Sequence, residues 1–207
     1  MNRKATYAFG LAALVALLIG AAFAATADAS PAWKFEGKAL EGSEDVLGGA
    51  VESAMTVPGL TTSCENFLYE LSISNKEGTG KGSLTEMPLY NCTAHSTACS
   101  VGSIGAEGLP WSSHLTTVET NPYVIFEGVK VSIYYEGEEC VLGETLVTVK
   151  GSAGGQINNS TESATFNTKT LEATKTTLEA LGQKIEWNGV FPTEAFQWHR
   201  EQPLSVS

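Results

Sequence analysis

The sequence predicts an all-β fold, an antiparallel β-sandwich or β-barrel that is preceded by a helical signal peptide and contains at most one short helix. Apolar and polar residues alternate along several short segments, which is typical of half-buried strands. Breakers separate these segments at intervals of about ten residues, as in sandwiches and barrels. A hydrophobic content of 43%, with 9% aromatic residues, excludes a disordered chain.

The first 29 residues have the organisation of a secretory signal peptide. Arg3 and Lys4 precede an apolar stretch that runs to about residue 25, and Ala27-Asp28-Ala29 is a small-x-small cleavage site. An uncleaved anchor is the alternative, because about 18 apolar residues can span a bilayer. We expect cleavage before Ser30, which leaves a single β domain over residues 30–207, secreted to the extracellular space or cell envelope.

The charge of the chain limits its partners. The full sequence has a net charge of -11, and removal of residues 1–29 leaves 10 basic and 22 acidic side chains, a net charge of -12. Such a surface repels nucleic-acid phosphates and anionic lipid headgroups. We therefore expect no nucleic-acid partner and no membrane association once the signal peptide is removed.

Strand patterns and breakers follow one another along the mature chain. Within residues 129–135, apolar residues at odd positions alternate with Lys130, Ser132 and Tyr134. Other segments with strand character are 71–75, 123–126 and 147–150. The predicted breakers are the glycines at 78, 80 and 82 and the segments 105–110, 136–139 and 151–155.

Asn188-Gly189 is the strongest hairpin signal in the sequence. Both central residues of a type I′ turn need positive φ, and Asn-Gly meets that need. The dipeptide lies between the segment 184–187, in which charged and apolar residues alternate, and the apolar pair 190–191, so the sequence predicts a two-residue turn there.

The sequence does not decide the secondary structure of two segments. Residues 170–182 place Leu171, Leu178 and Leu181 near one helical face with Gly182 as a possible C-cap, whereas the abundant threonine favours a strand. Both alternatives stay open. Residues 47–53 are too rich in glycine and alanine to assign.

Four cysteines in an exported chain predict two disulfides. No C-x-x-C pair occurs, so the spacing does not fit zinc. A hairpin with its turn centred near Gly78 would place Cys64 opposite Cys92 and leave Cys99 for Cys140, the favoured of three connectivities. The apolar residues from 67 to 73 have the opposite parity to Cys64, so this bridge faces outward unless a β-bulge intervenes.

The sequence has few residues in catalytic or metal-binding patterns. Gly102-Ser103-Ile104-Gly105 and Gly151-Ser152-Ala153-Gly154 have the wrong spacing for a serine-hydrolase elbow, and residues 78–83 lack the spacing of a phosphate loop. With the cysteines assigned to bridges, we expect no catalytic residue, no metal and no cofactor. The sequence therefore predicts a non-enzymatic protein.

Three glutamates define the weaker alternatives. Glu136, Glu138 and Glu139 are candidates for paired glycosidase carboxylates or for calcium ligation. They cluster in one short turn, and Asp45 is the only aspartate after residue 29, so we expect a solvated loop instead. His95, His114 and His199 share no metal-ligand spacing.

Aromatic residues are the candidates for binding. Tyr134, Trp111 and Trp187 offer flat faces to a sugar or peptide, although tryptophan and tyrosine also fill β-sheet cores. Strand alternation puts Tyr134 on the face opposite to its two neighbours, so one of Tyr134 and Tyr135 should point outward. Other aromatic residues considered are Trp33, Trp198 and Tyr123.

The order of cysteines, glycines and strands resembles a known group of proteins. Cys64, the alternating Gly78, Gly80 and Gly82, the close pair Cys92 and Cys99, Cys140, and then Val147-Thr148-Val149-Lys150-Gly151 follow one another. This order, over roughly residues 64–166, is similar to that of secreted four-cysteine β-rich proteins of soil actinobacteria. That group has no assigned activity, so the resemblance implies export, β structure and disulfides alone.

The sequence thus predicts a secreted or cell-envelope β domain that acts as a binding or structural module for an extracellular polysaccharide or protein. One alternative is a β-barrel carrier of a small apolar ligand, which requires a cavity of several hundred Å³. A less favoured alternative is a glutamate-dependent glycoside hydrolase.

Overall fold

A computed structural model describes residues 30–76, 79–192, 194–197 and 200–207, without the side chains of residues 50, 51, 194–197 and 200–203. The predicted signal peptide, the turn centre at Gly78, Trp198 and His199 lie outside the described residues.

The described residues form antiparallel strands and one short helix, which confirms the predicted all-β fold. The strands are β1 (Trp33–Phe35), β2 (Lys38–Ala39), β3 (Ser43–Val57), β4 (Leu60–Ser74), β5 (Lys81–Glu86), β6 (Leu89–Ala94), β7 (Ser100–Ala106), β8 (Trp111–Val118), β9 (Asn121–Glu136), β10 (Thr145–Asn158), β11 (Ser163–Phe166), β12 (Leu178–Ala180), β13 (Gln183–Pro192), β14 (Glu194–Gln197) and β15 (Arg200–Val206). The helix is α1 (Thr168–Thr174).

The strands close into a ring. Following the hydrogen-bonded pairs from β3 leads through β4, β5, β8, β9, β10, β11 and β13, and β13 pairs again with β3. The arrangement is sandwich-like, and its two facing layers are continuous at their sides. Strands β14, β15, β1 and β2 extend the sheet from β3, whereas β6 and β7 pair onto β4 and β9.

The inward-facing residues of the ring form one apolar core. The largest fully buried side chains are Trp111, Tyr135, Phe67, Phe166, Ile73, Ile133 and Leu178. A small apolar cavity of about 50 Å³ remains among them, lined in part by Trp111, Phe166 and Trp187.

The predicted hairpin at Asn188-Gly189 is wrong, because β13 runs straight through these residues. Gly189 pairs with Phe166 on β11 and with Ser53 on β3, so the position lies between two strands. A Cβ at Gly189 would lie 3.1 Å from Cε2 of Phe191. The glycine therefore makes room for an aromatic core residue instead of forming a turn.

The predicted breaker at residues 151–155 is also wrong, because these residues belong to β10. The ladder with β9 shifts register between Gly151 and Ser152, where Gly128 (φ 74°) is the extra residue on β9. Gly155 lies against the ring of Phe166. The glycines thus mark a β-bulge and a packing site within a continuous strand.

Residues 168–182 contain both of the predicted alternatives. Helix α1 begins after Asn167, whose side chain accepts from the backbone N–H of Thr170, and ends at Lys175 with φ 56°. Gly182 is therefore not its C-cap. Leu181 and Gly182, with φ 52° and 75°, connect Ala180 to its partner Gln183. The chain therefore makes a two-residue turn with positive φ at Leu181-Gly182, whereas the sequence predicts a turn of this type at Asn188-Gly189.

The unassigned residues 47–53 lie within β3. Gly48 and Gly49 provide space on opposite faces: a Cβ at Gly48 would overlap the Tyr69 ring, and one at Gly49 would lie 3.3 Å from Cδ2 of Leu68. Small residues are needed here because the neighbouring strand lays large side chains across them.

The structure contains the disulfides Cys64–Cys92 and Cys99–Cys140, which are the pairs that the hairpin argument favours. Cys64 is buried, and the parity of β4 changes just after it. The change occurs at Glu65. The residues opposite Glu65 on the two neighbouring strands, Glu52 on β3 and Asn91 on β6, have positive φ of 60° and 51°. This distortion lets both Cys64 and Phe67 face the core.

Candidate functional site

Two of the three candidate binding residues, Trp111 and Trp187, lie in the core, so of their two predicted roles the structure gives them core packing and not surface binding. Trp111 is 1% exposed and Trp187 is 2% exposed. Both lie at inward positions of their strands, and both indole N–H groups have internal acceptors, Glu107 O at 2.9 Å and Ser53 Oγ at 2.8 Å. Trp33, Tyr123 and Tyr135 are buried as well.

Tyr134 is the candidate that reaches the surface. It is half-buried on β9, between the fully buried Ile133 and Tyr135. Across the two neighbouring strands it pairs with Ser103 on β7 and Leu146 on β10. Leu146 is 58% exposed, a large fraction for an apolar side chain on a strand. We call the outward residues Ser103, Tyr134, Leu146 and Thr148 the Tyr134 face.

The backbone beneath the Tyr134 face is held on both sides. At this point β9 pairs with β7 and β10. The Tyr135 hydroxyl forms a 2.7 Å hydrogen bond with Thr62 Oγ1 in the core. The Cys99–Cys140 bridge joins the chain before β7 to the loop after β9. The position of Tyr134 is thus fixed by the fold before any partner binds.

Charged groups border the Tyr134 face. At one end, Lys130 Nζ lies 2.6 Å from Glu107 Oε2. Hydrogen bonds from Lys130 and Ser132 lower the pKa of the Glu107 carboxyl. Glu136 is exposed at the other end. The face therefore has an apolar centre and polar ends.

The acidic candidates lie in solvent. Glu136 ends β9, and Glu138 and Glu139 lie in the following loop, with all three exposed. Within the described residues, no group of three or more histidine, cysteine, aspartate or glutamate side chains is placed to hold a metal ion. The environment of the three glutamates is that of a solvated loop.

Sequence reasoning missed a surface groove beside β4. The groove has a volume of about 610 Å³ and contains Ser63 and His95, whose Oγ and Nε2 atoms are 2.8 Å apart. Such a pair is the first requirement for nucleophilic catalysis. Among the described residues, however, no carboxylate bonds to the other His95 nitrogen. The hairpin register could have revealed the pair. It sets His95 opposite Thr61, and Ser63 lies two residues from Thr61 on the same face of β4.

The interior offers little room for a ligand. The cavity of about 50 Å³ is far below the roughly 300–1,000 Å³ of ordinary small-molecule sites. The described core therefore does not support the alternative of a barrel that carries an apolar ligand.

No protein-family model, curated protein sequence or solved structure matches this chain. Among the described residues, no helix has the length and apolar character that a membrane crossing requires.

Two tyrosines are expected to make the free energy of unfolding depend on pH in the alkaline range. Burial raises the pKa of Tyr69, and burial also raises the pKa of Tyr135 against a smaller opposing effect of its hydrogen bond with Thr62. In the unfolded chain both ionise near pH 10, and in the folded protein both keep their protons to higher pH. We expect the free energy of unfolding to fall as pH rises above about 10, with Tyr69 contributing a loss of up to about 1.4 kcal/mol at pH 11 and Tyr135 acting in the same direction.

Urea unfolding between pH 8 and 11 measures this dependence. Tyr69→Phe and Tyr135→Phe should each reduce its steepness above pH 10. An unchanged slope in the double variant would show that other groups cause the alkaline loss.

Proposed function

We propose that the protein is a non-enzymatic binding module of the extracellular space or cell envelope, and that it contacts a protein partner through the Tyr134 face. Two disulfides fit an oxidising, extracellular environment. The observation on which the proposal rests is the cross-strand pair of Tyr134 and Leu146 on the outer surface of a firmly held strand.

The composition of the Tyr134 face favours a protein partner over a polysaccharide. With Trp111 and Trp187 buried, the face has one aromatic ring instead of a row of rings on which sugars could stack. Protein interfaces place tyrosine and apolar side chains at the centre and charged residues at the rim. Tyr134 and Leu146 fit the centre, and Lys130, Glu107 and Glu136 fit the rim.

A rigid site also favours binding. Ordering a side chain or loop on association costs free energy, so a preformed contact surface binds more tightly than a mobile one. Tyr134 is positioned by two strand ladders and a nearby disulfide. The disulfides thus support the function as well as the stability.

Affinity capture from the secreted and envelope fraction of the source organism tests the proposal. Wild-type protein, Tyr134→Ala and Leu146→Ala serve as baits, with Leu181→Ala as a matched control because Leu181, in the turn between β12 and β13, is 55% exposed, close to the 58% of Leu146. We expect a partner that wild-type and Leu181→Ala retain, and that the two face variants bind at least about 10-fold more weakly, as loss of a central anchor predicts.

Two outcomes would contradict the proposal. One is that every bait retains the same proteins. The other is that a glycan array shows polysaccharide binding that Tyr134→Ala abolishes, which would assign the face to a sugar instead.

A further inference from the structure

We propose that a second surface, on the outer side of β3, β4 and β6, docks a basic protein segment whose centre is apolar. This surface is separate from the Tyr134 face, and the proposal does not depend on it. We call its apolar residues, Leu47, Leu68 and Tyr90, the Leu68 strip.

The three residues are neighbours by register. Leu68 points outward from β4 and lies across Gly49 of β3, with which it pairs. Leu47 lies two residues from Gly49 on β3, and Tyr90 pairs with Asn66, two residues from Leu68 on β4. Diagonal neighbours at this spacing are within reach of long side chains.

The Leu68 strip is exposed although it is apolar. Leu68 is 54% exposed, Tyr90 is 47% exposed and Leu47 is 37% exposed. Single exposed apolar residues are common on protein surfaces, but adjacent ones bordered by polar residues mark interaction sites. The absence of a side chain at Gly49 lets Leu68 lie across β3 at the centre of the strip.

Carboxylates lie at both ends of the strip. Glu70 pairs directly with Leu47 on one side and with Glu86 of β5 on the other. Asp45 continues the outward row of β3, and Glu65 lies beside Asn66 at the opposite end. Among the described residues none of these four makes an ion pair with a basic group.

The charges identify the occupant. Like charges placed directly opposite on neighbouring strands, as in Glu70 and Glu86, are destabilising, and a partner's lysine or arginine would relieve this repulsion. A second copy of the chain would instead bring two sets of carboxylates together. Charge complementarity thus favours a basic segment over self-association.

Binding of designed peptides to the mature protein tests this proposal. The probe is a fluorescently labelled peptide of lysine and leucine, measured by anisotropy in 150 mM salt, with a lysine-serine peptide and a glutamate-leucine peptide for comparison. We expect the lysine-leucine peptide to bind at least about 10-fold more tightly than either of the others, because only it supplies both charge and apolar contact.

The matched variants are Leu68→Gln and Leu181→Gln, since both leucines are exposed to a similar extent, 54% and 55%, and Leu181 lies in the turn between β12 and β13, outside both proposed surfaces. Leu68→Gln should weaken binding of the lysine-leucine peptide about 10-fold, whereas Leu181→Gln should leave it within about 2-fold. Glu70→Gln combined with Glu86→Gln should weaken binding and flatten its salt dependence. Thermal melts of each variant establish that the fold is retained.

Three results would overturn the proposal. Equal binding of the lysine-serine peptide would show general attraction of cations to an acidic protein. Equal loss in Leu68→Gln and Leu181→Gln would show that the Leu68 strip is not the site. A dimer at neutral pH that Leu68→Gln abolishes would make a second copy the occupant. Because partner capture through Tyr134 is measured with other variants, the two proposals can fail separately.

Discussion

Reduction of both disulfides is expected to unfold the protein at 37 °C. The bridges close loops of 28 and 41 residues, and each such loop contributes about 3 to 4 kcal/mol on the chain-entropy model. Their combined contribution, about 7 kcal/mol, is comparable to the whole free energy of unfolding of a typical domain, about 5–15 kcal/mol. Circular dichroism melts with and without a phosphine reductant measure the effect.

Separate removal of each bridge is the control for this prediction. The double variants Cys64→Ala with Cys92→Ala, and Cys99→Ala with Cys140→Ala, should each lower the free energy of unfolding by about 3 kcal/mol. The two bridges fasten the chain on either side of the β6–β7 connection: Cys92 is bonded to Cys64 on β4, and Cys99 to Cys140 in the loop after β9. A loss below about 1 kcal/mol from either pair would refute the chain-entropy argument.

Trp187→Ala is expected to be the most damaging single substitution, with a loss of about 4 to 6 kcal/mol in the free energy of unfolding. Trp187 stacks on Phe166, with ring centroids 5.2 Å apart, and meets Phe191 edge-on at 5.6 Å. Removal of the indole leaves a cavity among these rings. It also leaves the buried Ser53 hydroxyl without its 2.8 Å donor.

Urea unfolding of four proteins separates the two contributions. Trp187→Phe keeps most of the packing and loses the hydrogen bond, while Trp187→Ala combined with Ser53→Ala removes the unpaired hydroxyl. The double variant should recover about 1 kcal/mol relative to Trp187→Ala alone. If Trp187→Ala costs less than about 2 kcal/mol, the ring does not support the core as its burial implies.

Local patterns predicted the fold where strand periodicity and burial coincide. The alternation of residues 129–135 placed Tyr134 on the face opposite to Ile133 and Tyr135, and on β9 Tyr134 reaches the surface while its two neighbours are buried. The hairpin prediction for Cys64 and Cys92 is correct because paired residues of β4 and β6 keep the same sum of residue numbers on both sides of the distortion at Glu65. In both cases the information lies within one strand or one strand pair.

Glycine was misinterpreted because its role depends on distant partners. Gly189 and Gly155 look like turn residues in sequence, yet they lie beside Phe191 and Phe166 in the core. Conversely, Leu181 adopts φ 52° in a real turn, although leucine rarely does. No local rule can rank these positions, because the packing that decides them joins strands far apart in the chain.

For the same reason, the sequence predicts single outward residues of the candidate surfaces but not which residues lie beside them. Alternation brings Tyr134 outward, but only the register of β9 with β10 sets Leu146 beside it. Residue type could not tell which tryptophans point inward. Trp111 and Trp187 are buried because they lie on the inner face of the ring.

Closure of the sheet limits the ways in which this molecule can recognise anything. Within the described residues, each ring strand from β3 around to β13 is paired on both sides, so the ring strands themselves offer no edge for β-augmentation, whereas β6 and β7, each paired with one strand, do. Main-chain recognition, which tolerates almost any ligand sequence, is thereby confined to these added strands. Along the ring, selectivity depends on outward side chains, which can diversify by mutation while the scaffold beneath them stays the same.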